Sequence, residues 1–255
     1  MPVELTKLDD CALLRLNRPE ALNALSFGVL NDISDALTEV ATWTVRGLIV
    51  TGAGEKAFCA GADIKELGDR PLIECKRGAE LGQMAFAKLD KLPFASVAAI
   101  NGFAFGGGLE LALACTFRIG TPTIKLGLPE IKLGLVPGYG GTQRLPRLIG
   151  EARAMEMILL GRTVAAEEAM RIGLLHRIVE GDVVNAALSL AHEFTSFSLL
   201  AQGFAREAVS RALDVPIHEG LKIEADLSTL AYATADAKEG MAAFTEKRKP
   251  EFKDA

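Results

Sequence analysis

The chain has 255 residues, 49% of them hydrophobic and 24% charged, which suits one large domain or a domain with a small appendage. A net charge of −5 argues against a general affinity for nucleic acid, which needs a basic face. The 4 cysteines form no C-x-x-C pair and the 3 histidines (176, 192, 218) are far apart, so neither a disulfide framework nor a metal site is expected.

The opening residues, MPVELTKLDD, carry no basic region followed by an apolar one, so no secretory leader is expected and the thiols are read as reduced and cytoplasmic. Residues 3–8 and 12–16 read as a hairpin around Asp9-Asp10. Ser26 can cap a helix running to about Trp43, with Val29, Leu30, Ile33, Leu37 and Val40 at helical spacing. Residues 46–51, RGLIVT, read as a short buried strand, and 74–89 as a helix.

Residues 95–100, ASVAAI, form a second buried strand; NGFAFGGG and the apolar helix LELALAC follow. A strand pair is expected near 117–119 and 123–126. Then comes LGLPEIKLGLVPGYGGTQRL, read after Glu130 as a loop of four glycines and a proline. From Gly150 on, helices are predicted over 151–160, 165–172, 183–194, 199–213 and 217–244. Strands alternate with helices in the first two-thirds, so the class is α/β with a helical C-terminal third; the division is placed at 1–195 and 196–255.

Two alternatives are set aside on physical grounds. Residues 97–117 are apolar enough to suggest a membrane span, but Glu110 would cost about 2.5–3.5 kcal/mol at mid-bilayer and four glycines weaken the helix. GAGEKA, residues 52–57, fits the dinucleotide pattern G-x-G-x-x-A, yet CAGAD follows where a helix should open and no acidic-ended strand lies about 20 residues on.

Glu110 is the one charge in FGGGLELALAC. Buried, its carboxyl must find hydrogen bonds or rise in pKa. It either caps the first turn of its own helix, where the dipole favours an acid, or is kept for chemistry. Glu130, between Pro129 and Ile131, is a second carboxylate in apolar surroundings. Two such groups can be tuned apart into acid and base. Gly106-Gly107-Gly108 precede a helix, so free N–H groups lie at its positive end. CAGAD, residues 59–63, offers a second run of small residues where a ligand can approach the main chain. Cys59 and Cys115 are read as packing residues.

RPEALNAL (18–25), GEKAFCAGADI (54–64), NGFAFGGGLELA (101–112), LPEIKLGLVPGYGGTQRLPRLIG (128–150) and EGMAAFTEKRKPEF (239–252) together resemble the enoyl-CoA hydratase family of the crotonase superfamily. The resemblance covers essentially the whole chain. It implies a spiral of repeated ββα units with a helical C-terminal region that mediates trimers, usually paired into hexamers. It implies Ala62 and Gly107 as the two N–H donors to a thioester oxygen, Glu110 as the glutamate that helps activate water, and Glu130 as the one that exchanges the α-carbon proton. Water then adds across the trans-2 double bond of a short- or medium-chain enoyl-CoA to give 3-hydroxyacyl-CoA. No metal or organic cofactor is expected, coenzyme A being part of the substrate.

Around CAGAD, Ala60, Asp63 and Ile64 are expected to touch substrate. Lys56, Lys65 and the cluster Lys247-Arg248-Lys249 are candidates for the coenzyme phosphates. Phe244 matches an aromatic of the acyl pocket. Residues 68–82 occupy the variable part that shapes this pocket. Phe103 and Phe105 stand where relatives often carry tyrosine and a smaller residue, and Ser228 near a place where some carry an aromatic. Carrying both glutamates favours hydration over isomerisation or another acyl-CoA reaction. An RNA-binding role lacks a basic–aromatic strip. The same step serves fatty-acid β-oxidation, phenylacetate breakdown and amino-acid catabolism.

Overall fold

The computed structural model describes residues 1–68 and 70–255, so Asp69, within the variable 68–82 stretch, lies outside the described residues. Two compact units emerge, Met1–Leu190 and Ala191–Ala255.

In the first unit, β1 (Val3–Leu8) and β2 (Cys11–Leu16) pair antiparallel with Leu8 opposite Cys11, as the hairpin expectation had it. α1 (Phe27–Val40) starts at Ser26, whose hydroxyl accepts from Val29 N at 3.2 Å. Val29, Leu30, Ile33, Ala36, Leu37 and Val40 form its buried face. Burying a large apolar side chain there stabilises by about 1.5–3 kcal/mol. The helix stops before Trp43 because Thr42 and Trp43 turn off through bonds to Glu39 O and Val40 O, and β-branched Thr42 and Thr44 extend a helix poorly.

From here each turn of chain supplies one strand to each of two sheets and then helical chain. β3 (Gly47–Gly52) and β4 (Ala57–Cys59) lead to α2 (Ile64–Leu67) and α3 (Leu72–Asp90). β5 (Ala95–Ile100) and β6 (Phe103–Phe105) lead to α4 (Gly107–Ala114). β7 (Phe117–Gly120) and β8 (Lys125–Gly127) lead to a 3-10 turn (Glu130–Leu133), α5 (Gly141–Ile149) and α6 (Glu151–Leu159). β9 (Thr163–Ala165), α7 (Ala166–Arg171), β10 (Arg177–Ile178) and α8 (Val183–Thr195) follow.

The larger sheet has the order β1-β2-β3-β5-β7-β10, the smaller β4-β6-β8-β9. Within the repeats the pairing is parallel. β3 and β5 are buried at every residue, which is why they read as continuous apolar runs. The expected strand pair near 117–126 is corrected: β7 and β8 lie in different sheets. The stretch read as a loop after Glu130 also contains α5, which carries Pro146 within it.

In the second unit, α9 (Leu199–Arg211), α10 (Ile217–Tyr232) and α11 (Ala235–Glu246) replace the two long helices expected. The break at 233–234 has a local cause. Thr234 is extended (ψ 153°), and its hydroxyl accepts from Ala237 N at 3.0 Å, starting a new helix. Buried Asp236 then accepts from Lys253 N at 2.7 Å and from Asp254 N, fastening the C-terminal residues.

Candidate active site

The site residues of the first unit come from the chain around β4, from α4 and from the segment between β8 and α5. α4 is buried at all eight positions, so Glu110 enters a helix with no solvent-facing side. Its Oε1 accepts from Tyr139 N at 2.8 Å and from Gly141 N at 2.7 Å. Its hydrogen bonds therefore go to the first residue of α5 and the chain before it, not to the first turn of α4. Neither bond falls on Oε2. Burial pushes the carboxyl up to about 7, with Glu130 nearby adding to the rise and the Gly141 and Tyr139 N–H groups opposing it.

Glu130 begins the 3-10 turn that left-handed Gly134 ends. Its pKa is also raised, by burial, and its Oε2 is enclosed with no hydrogen-bond partner. Its Oε1 lies over Gly106: a Cβ built there would stand 3.0 Å from it. Gly106 has φ 50° and ψ −126°, a conformation open to glycine alone. That turn sets Gly107 at the start of α4, where its N–H has no partner within the helix.

Ala62 is held beside it. Leu25 N donates to Gly61 O at 2.8 Å and Asp63 N to Leu25 O at 2.9 Å, a bridge in which Ala62 N takes no part. A Cβ at Gly61 would lie 3.7 Å from Gly107 N, so CAGAD and the start of α4 are immediate neighbours. A Cβ at Gly108 would collide with Cys59 O, so this glycine lets α4 seat against β4. Asn23 secures the same region, donating to Ala53 O at 3.0 Å and Ala57 O at 2.9 Å.

The expected substrate contacts divide. Ala60 is half-buried, and Lys56 before β4 and Ile64 and Lys65 at the start of α2 are exposed. Asp63 pairs with Arg18 at 3.4 Å. Phe244 is exposed in the second unit, and Lys247 ends α11 there in a left-handed conformation (φ 57°). Within the basic cluster, Arg248 is bound to Glu239 at 2.9 Å and to Glu246 at 2.6 Å. Cys59 and Cys115 are buried thiols pushed up to about 12 by burial, so neither is poised as a nucleophile.

The sequence reading missed Tyr139, Gly141, Arg118, Glu66 and Arg70. Tyr139 and Gly141 hold Glu110 through their main-chain N–H groups; the paired glycines of PGYGG before a helix were the available signal. Arg118 is 2% exposed and donates to Cys115 O at 2.6 Å, Ala112 O at 3.4 Å and Leu174 O at 3.0 Å. It thus closes the C-terminal end of the helix that bears Glu110, and burial lowers its pKa to about 10. Glu66 accepts from Phe27 N at 2.7 Å, while Arg70 covers the Phe27 ring at 4.4 Å, so both side chains dock on the start of α1.

The profile described as enoyl-CoA hydratase/isomerase matches residues 8–255. The chain belongs to the enoyl-CoA hydratase/isomerase family. It is 46% identical over 242 residues to a probable enoyl-CoA hydratase of Rhizobium meliloti, covering 94% of this chain and 93% of that one. It is 41% identical over 250 residues to a crotonyl-CoA hydratase of Syntrophomonas wolfei, covering 97% and 96%. The crystal structure of an enoyl-CoA hydratase from Bacillus anthracis superposes with a TM-score of 0.95 at 38% identity, over 100% of both chains. The crotonase-type fold that the resemblance implied is the fold observed, with its C-terminal helices. No helix among the described residues is long and apolar enough to cross a membrane.

Proposed function

We propose that this family member is an enoyl-CoA hydratase acting on trans-2-enoyl-CoA thioesters. The observation that carries the proposal is the pairing of two carboxyls raised by burial, Glu110 and Glu130, beside the main-chain N–H groups of Ala62 and Gly107. The two relatives that share nearly the whole chain and are named as hydratases support it.

The thioester oxygen is held by Ala62 N and Gly107 N, the latter at the positive end of α4. Water attacks the β-carbon while Glu110 takes its proton. The electron pair of the double bond moves onto the thioester as an enolate, whose oxygen the two N–H groups stabilise. Glu130 gives its proton to the α-carbon, 3-hydroxyacyl-CoA leaves, and exchange with solvent water then removes the proton from Glu110 and returns one to Glu130. A carboxyl near 7 serves this cycle, because it exchanges a proton at neutral pH with little driving force lost. Neither a metal nor an organic cofactor is required, and Lys56 and Lys65 are the exposed cations beside the loop that suit the coenzyme phosphates.

The finer assignments belong to the same proposal. We place the protein in the cytoplasm, in fatty-acid β-oxidation or a related acyl-CoA catabolic route. We also assign it a trimer or pair of trimers, supported by α9 and α10, which bury no residue and expose Val209, Ile217 and Leu221.

The test is loss of the conjugated enoyl thioester absorbance on mixing purified protein with crotonyl-CoA, comparing wild type, Glu110→Gln and Glu130→Gln. Rapid loss that falls about 100-fold or more in each variant supports the proposal. A wild type that binds acyl-CoA but consumes none points to isomerisation or another acyl-CoA reaction, and refutes hydration.

A further inference from the structure

Arg144 and Asp90 each carry a charge at the end of a helix that disfavours it. Arg144 lies in the first turn of α5, at the positive pole, and Asp90 is the last residue of α3, at the negative pole. The two are bonded to each other, Arg144 Nη2 donating to Asp90 Oδ2 at 2.8 Å. A pair that only tied α3 to α5 would gain from the opposite polarity, an acid starting α5 and a base ending α3. Such a tie also contributes little where water reaches it, and the Asp90 side chain is 55% exposed against 23% for Arg144. The observed polarity brings a cation, not an anion, to the start of α5.

The start of α5 is where Glu110 is held, its Oε1 accepting from Gly141 N at 2.7 Å. Gly140, the residue before, is left-handed (φ 115°), and a Cβ there would stand 2.5 Å from Arg144 Nη1. The guanidinium is thus folded back over Gly140 while the carboxyl is bonded to Gly141, so both charges gather at one helix terminus. Arg144 favours the ionised carboxyl, against burial and Glu130, which favour the protonated one.

The other groups facing Glu110 leave this role to Arg144. α4 packs on β4, β6, α3 and α5. β4 brings the Cys59 thiol and the chain before α5 the Tyr139 hydroxyl, both pushed up to about 12 by burial and so neutral near pH 7. β6, Phe103–Phe105, has no ionisable side chain. On α3, Lys88 is turned to Ser34 O on α1, and on α5 Arg147 donates to Gln143 O. Glu130, in the 3-10 turn, is an acid, and Arg118 lies at the opposite end of α4.

We propose that Arg144 is a positioning residue that holds Glu110 in the ionised form that accepts a proton from water, and that Asp90 moderates the cation. The proposal rests on the hydratase assignment, because it takes Glu110 as the base. Without the cation the carboxyl stays protonated near neutral pH; with the cation unopposed it becomes a weaker base. The paired arrangement sits between these limits.

The experiment follows kcat/KM for crotonyl-CoA against pH in wild type, Arg144→Gln, Arg144→Lys and Asp90→Asn. Loss of the cation raises the proton affinity of Glu110, so the acid-side fall in Arg144→Gln should move to higher pH by about 0.5–1 unit. Asp90→Asn removes the counter-charge and should move it to lower pH by about 0.2–0.5 unit. Arg144→Lys keeps the charge and should stay within about 0.3 unit of wild type. A plain tie between helices behaves differently: Arg144→Gln and Asp90→Asn weaken the same bond, so the fall moves in neither or in the same direction, and either result overturns the proposal. Carboxyl carbon-13 titration of the ligand-free protein, with Glu110→Gln assigning the signal, reads the same displacements without turnover. Asp90→Asn and Arg144→Lys carry the test should Arg144→Gln fail to fold. Opposite displacements of the Glu110 signal in a protein that hydrates no enoyl-CoA refute the hydratase assignment and leave the coupling standing. An active wild type whose Glu110 signal is unmoved in the variants refutes the coupling and leaves hydration standing.

Discussion

Replacing Glu110 by glutamine should make the protein more stable at alkaline pH while removing its activity. The carboxyl is raised from 4.5 to about 7 by burial, Glu130 adding to the rise. At ~1.4 kcal/mol per pH unit, holding this group ionised in the folded protein costs about 3 kcal/mol relative to the unfolded chain. The folded pKa is the higher one, so the stabilising contribution is fully present below 4.5 and lost as pH rises through about 7. Glutamine keeps the oxygen that accepts from Tyr139 N and Gly141 N and cannot ionise. Denaturant unfolding at pH 5 and pH 8 is the assay. The variant should match wild type near pH 5 within about 1 kcal/mol and exceed it at pH 8 by about 1–3 kcal/mol, while crotonyl-CoA hydration falls about 100-fold or more. A variant less stable than wild type at pH 8, or one that keeps the wild-type pH slope between 5 and 8, would refute the reasoning, because Glu110 would then carry no burial penalty.

Three other outcomes follow from the same geometry. The kcat/KM profile with crotonyl-CoA should fall on the acid side of about 7, where Glu110 gains its proton and no base remains; a rate flat from pH 5 to 8 would contradict this. Gly108→Ala places a methyl against Cys59 O and should cost about 1–3 kcal/mol or more in a thermal or urea melt. It should also depress kcat, since Gly107 on α4 and Ala62 in the loop after β4 are the proposed N–H donors; wild-type stability would show that the helix can retreat freely. Arg118→Met leaves the carbonyls of Cys115, Ala112 and Leu174 without their donor and should destabilise by about 1–3 kcal/mol. Unchanged unfolding would mean that water replaces the guanidinium.

Much of the frame was legible because its elements are long or wholly buried. α1 shows a 3.6-residue period, β3 and β5 are short apolar blocks, and Glu110 stands out as a charge that its apolar neighbours do not explain. The three-residue strands β4, β6, β8 and β9 are too short for any period to register, and the even-numbered ones are defined by pairing with distant chain. α5 was hidden because glycines precede it and Pro146 interrupts its pattern. The long helix expected over 217–244 missed Thr234, whose hydroxyl favours a cap as strongly as its neighbours favour continuation. At the site, the residue types were readable, but the partners of Glu110 were not, since main-chain N–H groups carry no sequence signature.

Arg118 alters the field around α4 in a way that its bonding pattern alone does not convey. An eight-residue helix is about 12 Å long and ordinarily presents opposite poles at its ends. Here a buried cation sits on the carbonyl end and offsets the negative pole. What remains, felt from Gly107, behaves as net positive charge rather than as a dipole, and such a potential decays with distance rather than with its square. The low-polarity setting that lowers the arginine's own pKa also limits screening of that potential along the helix. A residue with no place in the substrate's path therefore contributes to how strongly negative charge is held at the far end of the helix.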